Sequence, residues 1–178
     1  TYNDTTLAGV SFAWKDAVGN APLSATQQAY FTESGAVTDE VAEKRVNFIR
    51  GDRDNEDGIT YRLRQSRQGD IVNSVIWYTG KPASTFSYAG YRDFAKTKAG
   101  RTPIIYVGGN DGMLHGFSAV NGSEKIAYVP KGVMAALPAL TKPSYGHQFF
   151  VDGSPFAGDV DVGSGATNNW KTMLVGTL

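Results

Sequence analysis

Apolar residues at helical spacing are concentrated in one stretch near the start of the chain. Ala42, Val46 and Ile49 recur at positions i, i+4 and i+7, which places their side chains on one face of an α-helix. Thr38 can cap the N-terminus of this helix through its hydroxyl, and Gly51 can end it in a left-handed conformation. The pattern therefore predicts an amphipathic helix between Thr38 and Gly51.

Two shorter helices are predicted, one before this stretch and one well after it. Ser24 and Gln27 have the spacing of a capping box, in which each side chain accepts a hydrogen bond from the backbone N–H of the other residue. The helix that they begin should end near the Glu-Ser-Gly sequence at 33–35. The other short helix is predicted at 92–98, within a polar connection at 79–101.

From residue 71 onward the pattern changes to one typical of strands, rich in β-branched and aromatic residues. Strands are predicted at 71–78, 103–108, 113–119 and 124–129. The last three are separated by Asn-Asp-Gly and Asn-Gly sequences, which supply the positive φ angles that tight hairpins need. We therefore expect these strands to form an antiparallel meander.

A second, partial copy of this unit follows. The apolar segment at 149–155 leads into a strand at 156–162, and a strand at 170–176 ends in Val-Gly as the strand at 103–108 does. Because a propeller blade has four strands, the six strands predicted within residues 71–178 amount to about one and a half blades.

These elements predict a mainly β fold that is an incomplete part of a modified β-propeller, built from antiparallel meander blades. A short helical and loop lead-in at 1–70 precedes the partial propeller at 71–178. Because the final strand lacks a neighbour, its edge would carry unpaired N–H and C=O groups. We therefore expect the native chain to continue past Leu178.

Composition excludes several classes of protein. The 178 residues carry 17 Lys and Arg against 17 Asp and Glu, and a zero net charge argues against nucleic acid as a partner. The absence of cysteine excludes a disulfide scaffold, a thiolate zinc site and a cysteine nucleophile. No apolar run approaches the roughly 18 residues that indicate a membrane span.

The acidic loop at 52–58 is the nearest candidate for a calcium site. Asp52, Asp54 and Glu56 stand at alternating positions, as ligands do at the start of an EF-hand loop. The sixth position of such a loop should be Gly and the twelfth a carboxylate, whereas Asp57 and Leu63 occupy them here. The mismatch favours a solvated, salt-bridged loop over calcium binding.

Arg50, Gly51 and Asp52 spell the tripeptide that integrins recognise. The simpler interpretation is structural, with Arg50 and Gly51 ending the helix and Asp52 starting a turn. A run of arginines downstream indicates the solvated polar face of an extended segment: Arg62, Arg64 and Arg67.

The sequence predicts no catalytic residues and no cofactor-binding residues, because it contains no Gly-x-Ser-x-Gly, His-Glu-x-x-His or P-loop pattern. We interpret His115 and His147, the only histidines, as hydrogen-bonded structural residues. Asp159 and Asp161 share one face of a strand, and a glycosidase pair is a weaker explanation for them than roles in turns and edge strands.

Several segments, in order along the chain, resemble the C-terminal domain of PilC/PilY-type proteins at the tip of bacterial type IV pili. The resemblance extends from about residue 10 to the end. The segments are FIRGDR at 48–53, GDIVNS at 69–74, IYVGGNDGMLHGF at 105–117, FVDGSP at 150–155 and WKTMLVG at 170–176.

The resemblance implies an exported protein at the bacterial cell surface, at the pilus tip or on the outer membrane. It also implies a role in virulence through pilus biogenesis, surface adhesion and twitching motility, with minor pilins and a host or abiotic surface receptor as partners. Calcium is an implied cofactor, and we expect its site to lie beyond Leu178. A different interpretation is a quinoprotein-like or glycan-active propeller enzyme, which the meander alone would also suit.

Overall fold

The computed structural model describes residues 1–178 and consists mainly of antiparallel β-structure. The strands are β1 (Tyr2–Asn3), β2 (Ala8–Gly9), β3 (Trp77–Thr79), β4 (Ile104–Gly109), β5 (Met113–Ser118), β6 (Glu124–Tyr128), β7 (Phe156–Asp161) and β8 (Trp170–Val175). The α-helices are α1 (Ala25–Phe31), α2 (Asp39–Ile49) and α3 (Tyr91–Thr97), and two 3₁₀ helices span Lys131–Val133 and Leu137–Thr141. No helix has both the length and the apolar character needed to cross a membrane.

The capping residues predicted for the first two helices form the expected hydrogen bonds. Ser24 and Gln27 form both hydrogen bonds of the capping box at the start of α1, and the Thr38 hydroxyl accepts from the backbone N–H of Val41 at the start of α2. Helix α2 ends at Ile49 with Arg50 as its C-cap, and Gly51 follows with φ of 102°. These local hydrogen bonds satisfy N–H groups that have no partner within the helix.

The central sheet has four strands in the order β3-β4-β5-β6, all antiparallel. The meander predicted from the hairpin sequences is therefore confirmed. Its register pairs Val107 of β4 with His115 of β5, and His115 with Ala127 of β6. This register places the imidazole between the turn that joins β4 to β5 and the start of β6.

The prediction of a strand over 71–78 is wrong for most of its length, because only Trp77–Thr79 pairs with β4. The backbone upstream bonds to side chains of a distant loop instead. The N–H of Asn73 donates to Asp152 at 3.0 Å, and the N–H of Val75 donates to the hydroxyl of Ser154 at 3.0 Å. Composition favoured a strand here, but these tertiary bonds replace the ladder that a strand would need.

The partial second copy folds as the hairpin β7–β8, which pairs Phe156 with Val175 at one end and Asp161 with Trp170 at the other. The strands agree with the predicted ones to within a residue at each end. Together with the central sheet, the hairpin forms a mainly β arrangement in which no sheet closes on itself.

One hydrophobic core joins the helices to the central sheet. Phe31 and Val46 from α1 and α2 are fully buried in the same cluster as Met113 and Leu114 from β5. Phe31 also contacts Phe12 edge to face, with ring centroids 5.7 Å apart. Because apolar burial is the main favourable term in folding, the helical segment and the first blade stabilise each other.

Candidate functional site

The acidic loop at 52–58 is organised around one buried ion pair. The Arg64 guanidinium donates to the Glu56 carboxylate at 2.7 Å, and the side chains are only 6% and 4% exposed. Arg64 also donates to the Phe48 carbonyl at 2.6 Å and lies 3.6 Å from the centre of the Phe48 ring. Arg53, on the solvent side, donates to the same carboxylate at 3.1 Å. The loop is therefore fastened to the end of α2.

Burial alone would raise the pKa of the Glu56 carboxyl, but hydrogen bonds from the Arg64 backbone and guanidinium and from Arg53 lower it to about 2. The Glu56 carboxylate therefore stays deprotonated, and the guanidinium groups of Arg64 and Arg53 balance its negative charge. The calcium candidates do not fit a metal in this arrangement, because Glu56 faces two guanidinium groups and Asp52 accepts from the Asp54 N–H at 2.8 Å. The structure contains no group of three His, Asp or Glu side chains placed to hold a metal ion, and calcium binding stays a prediction of the family resemblance.

The expectation that the arginine run is a solvated face is wrong for Arg64 and confirmed for Arg67, which is exposed. Arg62 is half-buried, donates to the Leu140 carbonyl at 2.7 Å and stacks over the Tyr145 ring at 4.4 Å. Buried carbonyl oxygens and aromatic rings supply the partners that water would supply at a surface. These partners lie far away in sequence, so the local alternation could not indicate them.

The integrin-type tripeptide lies at the C-terminus of α2. Arg50 is the exposed C-cap, and the Asp52 N–H donates to the Asn47 carbonyl at 2.9 Å. The main-chain carbonyl of Asp52 accepts from the buried Arg64. The helix-ending role of Arg50 and Gly51 is confirmed, and integrin recognition stays a prediction.

Next to this tripeptide lies a cleft of about 580 Å³ between the end of α2 and strands β5 and β6. We call it the histidine cleft after His115, which lies in its wall with a side chain only 6% exposed. The His115 Nε2 lies 3.1 Å from both Asp111 carboxylate oxygens, and the Nδ1 lies 2.7 Å from Glu124. Arg50 and Arg67 also line the cleft.

Burial lowers the pKa of the His115 imidazole, but the carboxylates of Asp111 and Glu124 outweigh it, and the net shift is upward. Both ring nitrogens face carboxylate oxygens, so neither is free to reach the proton of a substrate, as a general base must. The hydrogen bonds expected of both histidines are confirmed, since His147 likewise lies 2.8 Å from Asp70, and their purely structural role stays a prediction. The acidic partners of His115 were missed, although Asp111 precedes it by four residues across the hairpin turn.

Replacing His115 with Gln should destabilise the chain by about 1.5–3 kcal/mol at pH 6, because it removes two charge-assisted hydrogen bonds. The folded-state pKa is raised above 6.5, so this stabilisation is complete below that pH and is lost as the pH rises through the folded-state pKa. Urea unfolding should show that the difference in free energy of unfolding between wild type and His115→Gln becomes smaller as the pH rises from 5.5 to 8.5.

The control is His147→Gln, which removes an imidazole that is 46% exposed. It should lower the free energy of unfolding by less than about 1 kcal/mol. A gap between wild type and His115→Gln that stays constant across this pH range would show that the charge of His115 does not contribute to stability.

Asp159 and Asp161 point into hydrogen-bond networks of their own. Asp159 accepts from the Tyr91 hydroxyl at 2.8 Å and from the Thr172 hydroxyl at 2.6 Å. Asp161 accepts from the Asn168 amide at 2.6 Å and from two backbone N–H groups of its own loop. Structural roles in the hairpin therefore account for both carboxylates.

Comparison with known proteins agrees with this architecture. A family model described as the PilY1 beta-propeller domain matches residues 68–178. The type IV pilus biogenesis factor PilY1 homolog of Xylella fastidiosa is 42% identical over 145 residues. PilY1 of Pseudomonas aeruginosa strain PAK is 39% identical over 170 residues.

The alignments cover 76% and 88% of this chain but only 12% and 14% of these two relatives. The chain is thus similar to a small part of each. The crystal structure of the Pseudomonas aeruginosa PilY1 C-terminal domain is also similar, at 36% identity and a TM-score of 0.38, covering 55% of this chain and 19% of that one.

Proposed function

The chain belongs to the PilY1 β-propeller family, and on that basis we propose that it is a binding part of a type IV pilus biogenesis factor, without catalysis. The match covers the central sheet and the β7–β8 hairpin, so the prediction of an incomplete propeller is confirmed. The observation that carries the proposal is this match, joined with relatives that are named as pilus biogenesis factors.

The geometry of the histidine cleft supports binding rather than catalysis. Its one imidazole is hydrogen-bonded on both ring nitrogens to carboxylates, so neither nitrogen is free to activate a nucleophile. The cleft has polar groups of both signs and opens to solvent, which suits recognition of a partner.

We further propose that the protein acts outside the cell at the pilus tip. There it would dock on minor pilins and present its loops to a host or abiotic surface, and so support adhesion and twitching motility. Family membership motivates these roles, and the rigid blade provides the scaffold on which exposed loops can bind.

Deletion of the gene in its native host tests the proposal. We expect loss of surface pili and of twitching, restored by the gene in trans, with growth in liquid unchanged. Intact piliation and twitching in the deletion strain would exclude the pilus role. A redox chromophore on the purified protein, or cleavage of a polysaccharide by it, would contradict the absence of catalysis.

A further inference from the structure

A second cleft, of about 460 Å³, lies between the segment at 86–89 and the β7–β8 hairpin. Its walls are aromatic rings and acidic or amide side chains. We call it the aromatic cleft and define it by Phe86, Tyr88, Trp170, Asp159, Asp161 and Asn168.

The three rings form one continuous aromatic surface. Phe86 and Tyr88 each lie nearly parallel to Trp170, with centroids 5.9 and 6.3 Å away and interplanar angles of 26° and 24°. Phe86 is 42% exposed and Tyr88 is 68% exposed. Large exposed aromatic side chains that touch one another are costly to leave in water and typically mark binding surfaces.

Trp170, the ring that the other two stack on, is held in place by its neighbours. The Trp170 indole N–H donates to the Ala89 carbonyl at 2.9 Å. Tyr91, only 2% exposed, packs edge-on beneath Trp170 at 4.9 Å and donates its hydroxyl to Asp159. A ligand would therefore meet a central ring that is already fixed, which lowers the entropic cost of binding.

The charge in the aromatic cleft has one sign. Its lining includes Asp159 and Asp161 but no Lys or Arg. Behind the lining, the Arg101 guanidinium donates to the Thr172 hydroxyl, which in turn donates to Asp159, whereas Asp161 bonds only amide and backbone N–H groups. Hydrogen bonds from the Asn168 side chain and from the loop backbone lower the pKa of the Asp161 carboxyl. The Asp161 carboxylate and the electron-rich faces of the rings therefore give this wall of the cleft a negative potential.

We propose that the aromatic cleft is the docking site for an arginine side chain on a basic segment of a protein partner. A guanidinium stacks on aromatic faces and offers five donors in a planar fork. Acceptor capacity remains on the wall, because each Asp159 oxygen accepts a single hydrogen bond and a carboxylate oxygen can accept two. The proposal rests on these side chains alone and does not depend on the pilus role.

The cleft's size and openness favour a side chain on a protein over a free ion. A volume of about 460 Å³ accommodates a whole arginine side chain with part of its backbone, in the range of ordinary ligand pockets. The wide opening to solvent leaves room for the chain on either side of that residue.

Saturation-transfer NMR on the full chain tests the proposal with N-acetyl-arginine methylamide as the probe. The matched ligand is N-acetyl-citrulline methylamide, which has nearly the same shape but no charge. We expect the arginine probe to bind and the citrulline probe to bind at least about 10-fold more weakly, because the uncharged citrulline side chain cannot form charge-assisted hydrogen bonds. Raising the salt concentration should weaken binding of the arginine probe.

The matched variants are Tyr88→Ala and Tyr78→Ala, which remove tyrosines that are 68% and 62% exposed. Tyr88→Ala should lower the affinity for the arginine probe by about 3- to 30-fold, the range expected for a cation–π contact. Tyr78→Ala should leave this affinity unchanged. Because both side chains are exposed, neither variant should prevent folding. The proposal is overturned if the arginine probe does not bind, if the citrulline probe binds equally well, or if Tyr88→Ala leaves binding unchanged. Methyl glucoside serves as a sugar probe, and its binding in preference to the arginine probe would also overturn the proposal.

Discussion

Arg64→Met is expected to lower the free energy of unfolding by about 3–5 kcal/mol, because it leaves the Glu56 carboxylate buried without its main partner. The Arg64 side chain is 6% exposed and the Glu56 side chain 4%. The substitution also removes hydrogen bonds to the carbonyls of Phe48 and Asp52. These three contacts join the acidic loop to the end of α2, so their loss should loosen both.

Arg53→Met is the matched control, because Arg53 bonds the same carboxylate but is 42% exposed. It should cost less than about 1 kcal/mol, as exposed ion pairs do. The double variant Arg64→Met/Glu56→Gln should recover part of the loss, since the buried charge is gone. Urea unfolding at pH 7 measures all three, and equal effects of Arg53→Met and Arg64→Met would refute a buried ion pair.

The same ion pair makes the chain sensitive to acid. The pKa of Glu56 falls from 4.5 to about 2 on folding, so its stabilising contribution is present above pH 4.5 and is lost as the pH falls towards 2. The Arg64→Met variant should lose less stability than the wild type over this acid range.

Gly108→Val is the second substitution for which we expect a large effect. Overpacking should lower the free energy of unfolding by about 1–3 kcal/mol or more. A Cβ at Gly108 would meet the main-chain carbonyl of Val151, and backbone cannot move aside as a flexible side chain can. The Gly108 N–H also donates to the Ser74 hydroxyl at 2.8 Å. Strand β4 and the loops at 74 and 151 therefore converge at this residue.

Gly100→Val provides the comparison, because a Cβ there would have no atom within 4 Å. Val favours strand geometry, so any loss at Gly108 comes from the steric clash and not from β-propensity. Thermal and urea unfolding should show a lower free energy of unfolding for Gly108→Val. For Gly100→Val the change in that free energy should be less than about 0.5 kcal/mol. Equal stability of the two variants would mean that the loop at 151 does not pack on β4 as described.

The elements that the sequence predicted well depend on neighbouring residues. Ser24 with Gln27, Thr38 with Val41, and the Gly-containing turns between β4, β5 and β6 all act within a few residues. Such signals are readable because helix caps and hairpin turns are set by local backbone geometry.

The features that sequence reasoning missed depend on partners far away along the chain. Residues 71–76 have strand composition, but their backbone bonds a loop 79 residues downstream. In the sequence Arg64 has the pattern of a surface residue, but in the fold it is buried and bonds Glu56 and the carbonyl of Phe48. The aromatic cleft likewise joins Phe86 to Trp170, and no local periodicity indicates that contact.

Surface piliation of a strain whose only copy of the gene carries Gly108→Val tests whether the folded blade supports pilus biogenesis. The measurement is the amount of pilin sheared from cells, normalised to the level of the variant protein, beside a strain with Gly100→Val. We predict that Gly100→Val supports wild-type amounts of surface pilin and that Gly108→Val reduces them strongly, together with twitching. Wild-type piliation and twitching in the Gly108→Val strain, with its protein unfolded in the same cells, would contradict a role for this blade in pilus biogenesis.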